Sequence, residues 1–152
     1  MRKKRALAAV AAIAVGAILG LATPSSADQP TGVQILGPVR IDGDVATVRA
    51  RYNCEQAGHL FVSVKQTGDR NKDARLPQPG SSAVVAETGG GWWQSHPQDF
   101  NCDGETHVGT FTIGTFEYGI SALAHGKGWL QFCLSFGEEE IEINHTQWVQ
   151  VI

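Results

Sequence analysis

The stretch from Val45 to Cys54 constrains the fold more than any other. Ala46, Val48, Ala50, Tyr52 and Cys54 alternate with Thr47, Arg49, Arg51 and Asn53. Such alternation puts one set of side chains on each face of an extended chain, which is the pattern of a half-buried strand. Just before it stand Val39-Arg40-Ile41, then Asp42-Gly43, then Asp44. Asp-Gly between alternating runs is a strong hairpin signal, because glycine accepts the left-handed backbone of a tight turn. The spacing predicts a hairpin between residues 33–41 and 45–54.

Similar runs recur. Residues 59–65 carry Leu60, Val62 and Val64 on one face, and residues 106–113 carry Phe111 and Ile113. Residues 128–136 alternate Leu130, Phe132, Leu134 and Phe136 with Trp129, Gln131, Cys133 and Ser135. Residues 83–87, 120–125, 141–143 and 148–152 read as shorter strands. Residues 67–82 hold Gly68, Pro77, Pro79 and Gly80 and read as a long exposed loop, and Gly89-Gly90-Gly91 breaks the chain again. Short strands at this spacing, about eight in all, predict an all-β antiparallel sandwich. No repeat or linker divides residues 28–152, so they form a single domain.

The first 27 residues differ in kind. Arg2, Lys3, Lys4 and Arg5 precede an uncharged Ala-rich stretch, which ends in Ser25-Ser26-Ala27. A basic head, a short apolar stretch and a small-residue ending make a secretory signal peptide, cleaved after Ala27. Without the four basic groups of that leader, residues 28–152 keep 8 basic and 15 acidic side chains, a net charge of −7. That charge argues against a nucleic-acid partner. No later stretch is long and apolar enough for a membrane partner after cleavage. The expected location is secreted, extracellular.

Ala50-Arg51-Tyr52-Asn53-Cys54, the Leu-Phe-Val-Ser-Val strand ending in Lys65-Gln66, and Cys102-Asp103-Gly104 together carry a resemblance. Over residues 40–125 the chain resembles a group of small secreted actinobacterial proteins with an immunoglobulin-like β-sandwich, a Tyr-x-Cys strand and a later Cys-Asp-Gly. The resemblance implies that fold and a disulfide, and no activity. Of the three cysteines, the reading pairs Cys54 with Cys102 and leaves Cys133 spare, the other two pairings staying open. A spare thiol outside the cell allows a dimer through Cys133.

Candidate chemistry is sparse. Asp99-Phe100-Asn101-Cys102-Asp103-Gly104 matches the start of an EF-hand loop, but position twelve is Thr110, not a bidentate glutamate. The simpler reading is an Asx-rich turn, and no metal site is assigned. His59, His96, His107, His125 and His145 show no metal-ligand spacing. Gly119-Ile120-Ser121-Ala122-Leu123 lacks the final glycine of a nucleophile elbow, so Ser121 reads as a strand serine. Glu138-Glu139-Glu140 with Glu142 reads as a solvated acidic turn, and Asn144-His145-Thr146 matches a glycosylation sequon.

Gly89-Gly90-Gly91-Trp92-Trp93-Gln94-Ser95-His96 is the most suggestive stretch. Adjacent tryptophans in an extended chain cannot both face inward. Exposed aromatic rings stack on sugars or anchor protein partners. The sequence thus reads as a secreted non-catalytic binding module without a cofactor. Its partner is an extracellular protein or glycan, contacted near Trp92, Trp93 and His96. The alternative is a protease inhibitor using the 67–82 loop, or a small hydrolase whose site is assembled only in space.

Overall fold

The computed structural model describes residues 32–119, 121–136 and 140–152, with the backbone alone over 115–119. The leader, its cleavage site, Glu138 and Glu139 lie outside the described residues. Within them are nine strands: β1 (Gly32–Ile35), β2 (Arg40–Asp42), β3 (Val45–Asn53), β4 (His59–Gln66), β5 (Gly91–Ser95), β6 (Thr106–Ile113), β7 (Thr115–Gly119), β8 (Gly126–Ser135) and β9 (Ile141–Val151). One helix, α1 (Ser81–Glu87), stands between β4 and β5.

The strands form two antiparallel sheets. In the first, β1 and β2 pair with successive halves of β3, and β6 pairs with its other edge. The predicted hairpin is present as β2–β3, with Asp42 opposite Val45 and Gly43 at φ 61°. Left-handed φ at the first central position is what glycine supplies in a two-residue hairpin turn. The second sheet runs β7-β5-β4-β8-β9. Val39 forms a parallel bridge to Val151, so the chain between β1 and β2 closes one side of the sandwich. The result is an all-β sandwich in which β3 and β6 lie as strands B and E do in an immunoglobulin domain, and β4, β8 and β9 as C, F and G, while β7, which follows β6 and pairs with β5, departs from that order.

The inward residues fill the space between the sheets. Val48, Phe111 and Ile113 of the first sheet meet Leu60, Val62, Leu130, Phe132 and Leu134 of the second, all buried. Phe132 has its ring centroid 5.3 Å from Phe111 and 6.2 Å from Tyr52. The Phe111 contact is edge-on, as ring quadrupoles favour. Cys54 and Cys102 form a disulfide with Cα atoms 4.8 Å apart. It pins the end of β3 to the β5–β6 connection, not to a third strand as in antibody domains.

Several expectations are corrected. Residues 83–87 belong to α1, not to a strand. Their β-branched pair Val84-Val85 suggested extension, but Ser81 and Val85, one helical turn apart, are the residues that bury. Residues 121–125 form a loop, and the strand of that region is β7; Ile120 lies outside the description. Ser121 is therefore a loop residue. Phe136 is 41% exposed, because β8 ends at Ser135 and the alternation no longer governs the residue after it. Residues 141–143 and 148–152 join in one long β9.

The 67–82 connection is less exposed than its composition suggested. Thr67, Leu76 and Ser81 are buried. Asp69 accepts the backbone N–H of Asn71 at 3.1 Å and Asp73 that of Arg75 at 2.9 Å. Side chains that mimic backbone in this way close tight turns, and the turns fold Leu76 inward.

Candidate functional site

Strand period and register build the site together. In β4, Leu60, Val62, Val64 and Gln66 point into the core, so Phe61, Ser63 and Lys65 point to the outer face. The same rule turns Trp92 and Gln94 of β5, Trp129, Gln131 and Cys133 of β8, and Asn144, Thr146 and Trp148 of β9 outward. Lys65 lies opposite both Trp92 and Trp129, and Trp129 lies opposite Trp148. One row of the sheet thus reads Trp92, Lys65, Trp129, Trp148. The next reads Gln94, Ser63, Gln131, Thr146. Three of the four tryptophans share this face.

The row is knit by ring contacts. Trp129 and Trp148 meet edge-on, with centroids 5.3 Å apart. The Lys65 ammonium lies 4.2 Å from the Trp92 ring centroid and donates a hydrogen bond to Ser81 Oγ at 2.7 Å. Burial holds the Lys65 pKa below its ordinary value. Lys72, carried by the 67–80 segment, reaches over Trp148 at 5.8 Å.

The segment before α1 stands over this face and leaves a cleft of 340 Å³. Its wall is Leu76, Pro77, Gln78, Pro79, Gly80 and Ser81, and its floor is Lys65, Trp129, Gln131, Asn144 and Thr146. Gln131 Nε2 donates to Asn144 Oδ1 at 3.2 Å, which fixes both amides on the floor. The lining contains one cation and no carboxylate, imidazole or thiol.

The three residues singled out in the sequence do not form one site. Trp93 is 4% exposed and belongs to the core, which removes it as a contact residue. Its indole N–H has no hydrogen-bond partner among the described residues. Trp92 lies on the outer face, half-buried beside Lys65. His96 is exposed and packs against Phe61, with centroids 5.3 Å apart. It follows β5 at the far end from Trp92. The cleft residues Trp129, Gln131, Asn144 and Thr146 were not chosen from the sequence. Their signal was the outward face of the 128–136 strand, which pairs Trp129 with Gln131.

Elsewhere, the Asp99–Gly104 stretch is an Asx turn tied to β3. Asp103 accepts the Glu105 N–H at 3.0 Å and meets the His107 ring at 2.7 Å. Asn53 donates to the Gly104 carbonyl at 2.7 Å. Among the described residues no group of three His, Cys, Asp or Glu is placed to hold a metal. Ser121 Oγ donates to the Gly89 carbonyl and accepts from Arg70, each at 3.0 Å, so it serves loop packing. Cys133 is free and half-buried on the outer face, and burial pushes its thiol pKa up. No helix among the described residues is long and apolar enough to cross a membrane. No protein-family model, no curated protein and no solved structure matches the chain.

Proposed function

We propose that the protein is a secreted, non-catalytic module that binds an extracellular glycan on the outer face of its second sheet. The observation that carries this reading is the cleft floor, where Trp129 lies beside Gln131, Asn144 and Thr146. An indole face suits the C–H surface of a sugar ring, and nearby amides and a hydroxyl suit its hydroxyl groups. Sites of this kind combine an apolar surface with a few placed polar groups. The basic, apolar and small-residue pattern of residues 1–27 supports export, as does the Cys54–Cys102 disulfide. The resemblance to small secreted actinobacterial proteins supports the same location.

Pull-down on insoluble polysaccharides, followed by titration of tryptophan fluorescence with the retained glycan, tests the reading. Trp129→Ala should weaken binding by about 2 kcal/mol or more if the ring is an anchor. Unchanged affinity in a folded Trp129→Ala protein refutes the site. Export is tested by intact mass of the secreted product, which should begin at Asp28.

A second reading is favoured by one contact. Lys65 Nζ and Ser81 Oγ stand 2.7 Å apart beside the cleft, a separation that would also suit a serine nucleophile donating to a neutral lysine base. Ser81 is only 5% exposed, which favours the binding role. Covalent labelling by a fluorophosphonate, abolished by Ser81→Ala, would establish the hydrolase instead.

A further inference from the structure

The glycan reading leaves the charge of the cleft unexplained. Residues 28–152 carry more acid than base, yet the cleft lining holds no Asp or Glu and one lysine. Lys65 has no carboxylate partner among the described residues. Neither has Lys72, the second cation above this face.

An ammonium has three donors. Ser81 Oγ takes one, and the Trp92 ring covers another side of the cation. That leaves donor capacity on a side chain that lines the cleft. Half-burial has already removed part of the hydration of this cation. A neutral ligand in the cleft would remove more and return no charge, whereas an anion would compensate it. A single ammonium on the floor suits a singly charged group better than a dianionic phosphate. The rest of the floor is an indole ring with two amides and a hydroxyl, groups that complement a ring bearing hydroxyl groups.

Building on the glycan reading, we propose that the cleft takes a carboxylate-bearing sugar. The Lys65 ammonium anchors the acid group, and Trp129, Gln131, Asn144 and Thr146 hold the ring. Lys72 adds a second, longer-range attraction at the Trp148 end. Lys65 is a binding residue on this account, and its contacts with Trp92 and Ser81 fix where its charge stands.

The test is calorimetric titration of the mature protein with oligosaccharides ending in glucuronate, galacturonate or sialate. Their carboxyl-reduced forms and an oligoglutamate of similar charge are titrated at the same ionic strength. At least one acid sugar should bind tenfold or more tighter than its reduced form. Lys65→Met should abolish that difference, and Lys65→Arg should keep most of it. Trp129→Ala should weaken both forms alike. Circular dichroism and the urea midpoint of each variant establish that it is folded. Equal affinity for acid and reduced sugars overturns the acid-sugar inference and leaves the glycan reading standing. Binding of no sugar overturns both. Preference for oligoglutamate over every sugar assigns the cleft to an acidic peptide and also overturns the proposal.

Discussion

Gln66 offers the sharpest test of how this fold is held together. It ends β4 on the inward side, in line with Leu60, Val62 and Val64, and is 0% exposed. Its Nε2 donates to the carbonyls of Ala124 at 2.8 Å and Lys127 at 3.2 Å, and its Oε1 accepts the Ala124 N–H at 2.9 Å. One buried amide thus stands in for the strand partner that the 121–125 loop lacks. Gln66→Leu keeps the size and removes all three bonds. At about 1 kcal/mol net per bond, with 1–3 kcal/mol more for a stranded N–H, the loss is roughly 4–6 kcal/mol. Extra apolar burial of leucine returns about 1–2 kcal/mol, so the net expectation is about 3 kcal/mol. For a domain of this size that lowers Tm by roughly 10 °C. Urea denaturation should show a lower midpoint at an unchanged slope, and the Ala124 amide should lose protection in hydrogen exchange. The damage should reach the cleft face as well. Lys127 donates its N–H to the Arg70 carbonyl at 2.7 Å, and that segment carries Lys72 over Trp148. A loss under about 1 kcal/mol with Ala124 still protected would refute the reasoning, because three buried bonds cannot then be worth what is assigned to them.

Other expectations are more direct. Replacing both Cys54 and Cys102 by alanine opens a loop of sequence separation 48 and should cost about 4 kcal/mol, read from urea midpoints; a change below 1 kcal/mol would count against the loop-closure account. Asp69, Asp73 and Asp103 are held below the ordinary carboxylate range by hydrogen bonds from the Thr67 hydroxyl, the Arg75 guanidinium and the His107 ring. Their folded pKa values lie below the unfolded ones, so the stability they add is full above about pH 4 and is lost as pH falls further. A urea midpoint that stays flat from pH 5 to pH 2 would contradict that sign. Burial raises the Cys133 pKa, so at pH 8 iodoacetamide should alkylate it more slowly than a free cysteine peptide, and equal rates would show an open thiol.

Much of the sandwich was legible because period two is a strong signal where one face is buried. Val48, Val62, Leu130, Phe132 and Leu134 all point where their alternation puts them. The signal failed where a local rule was overridden. In α1, Val84 and Val85 carry strand propensity, but the helix is fixed at both ends. Gly80 stands at φ 80° before it and Gly89 at φ 67° after it. Gly90 then passes so close to β4 that a Cβ there would lie 1.9 Å from the Gln66 carbonyl. The chain has to turn before β5 begins, and a short helix makes the turn. Phe136 failed for a different reason, since β8 ends at Ser135 and the period-two rule stops with the strand.

The site was legible in part and for a reason that applies beyond this chain. Adjacency along the sequence drew attention to Trp92 and Trp93, but neighbours in a strand face opposite ways, so the pair was always going to be divided. What makes a binding face in a sheet is adjacency across strands. Trp92, Lys65, Trp129 and Trp148 form a row only because β4 pairs with β5 and β8, and β8 with β9, in one particular register. The sequence does reveal that Trp129 points away from the Leu and Phe side of its strand. It does not reveal that Trp148 and Lys65 arrive at the same level, since no turn residue between these strands fixes the count. The wall of the cleft was hidden more deeply. Pro77 and Pro79 read as loop punctuation, and only the burial of Leu76 beside them brings that segment down onto the indole and amide floor.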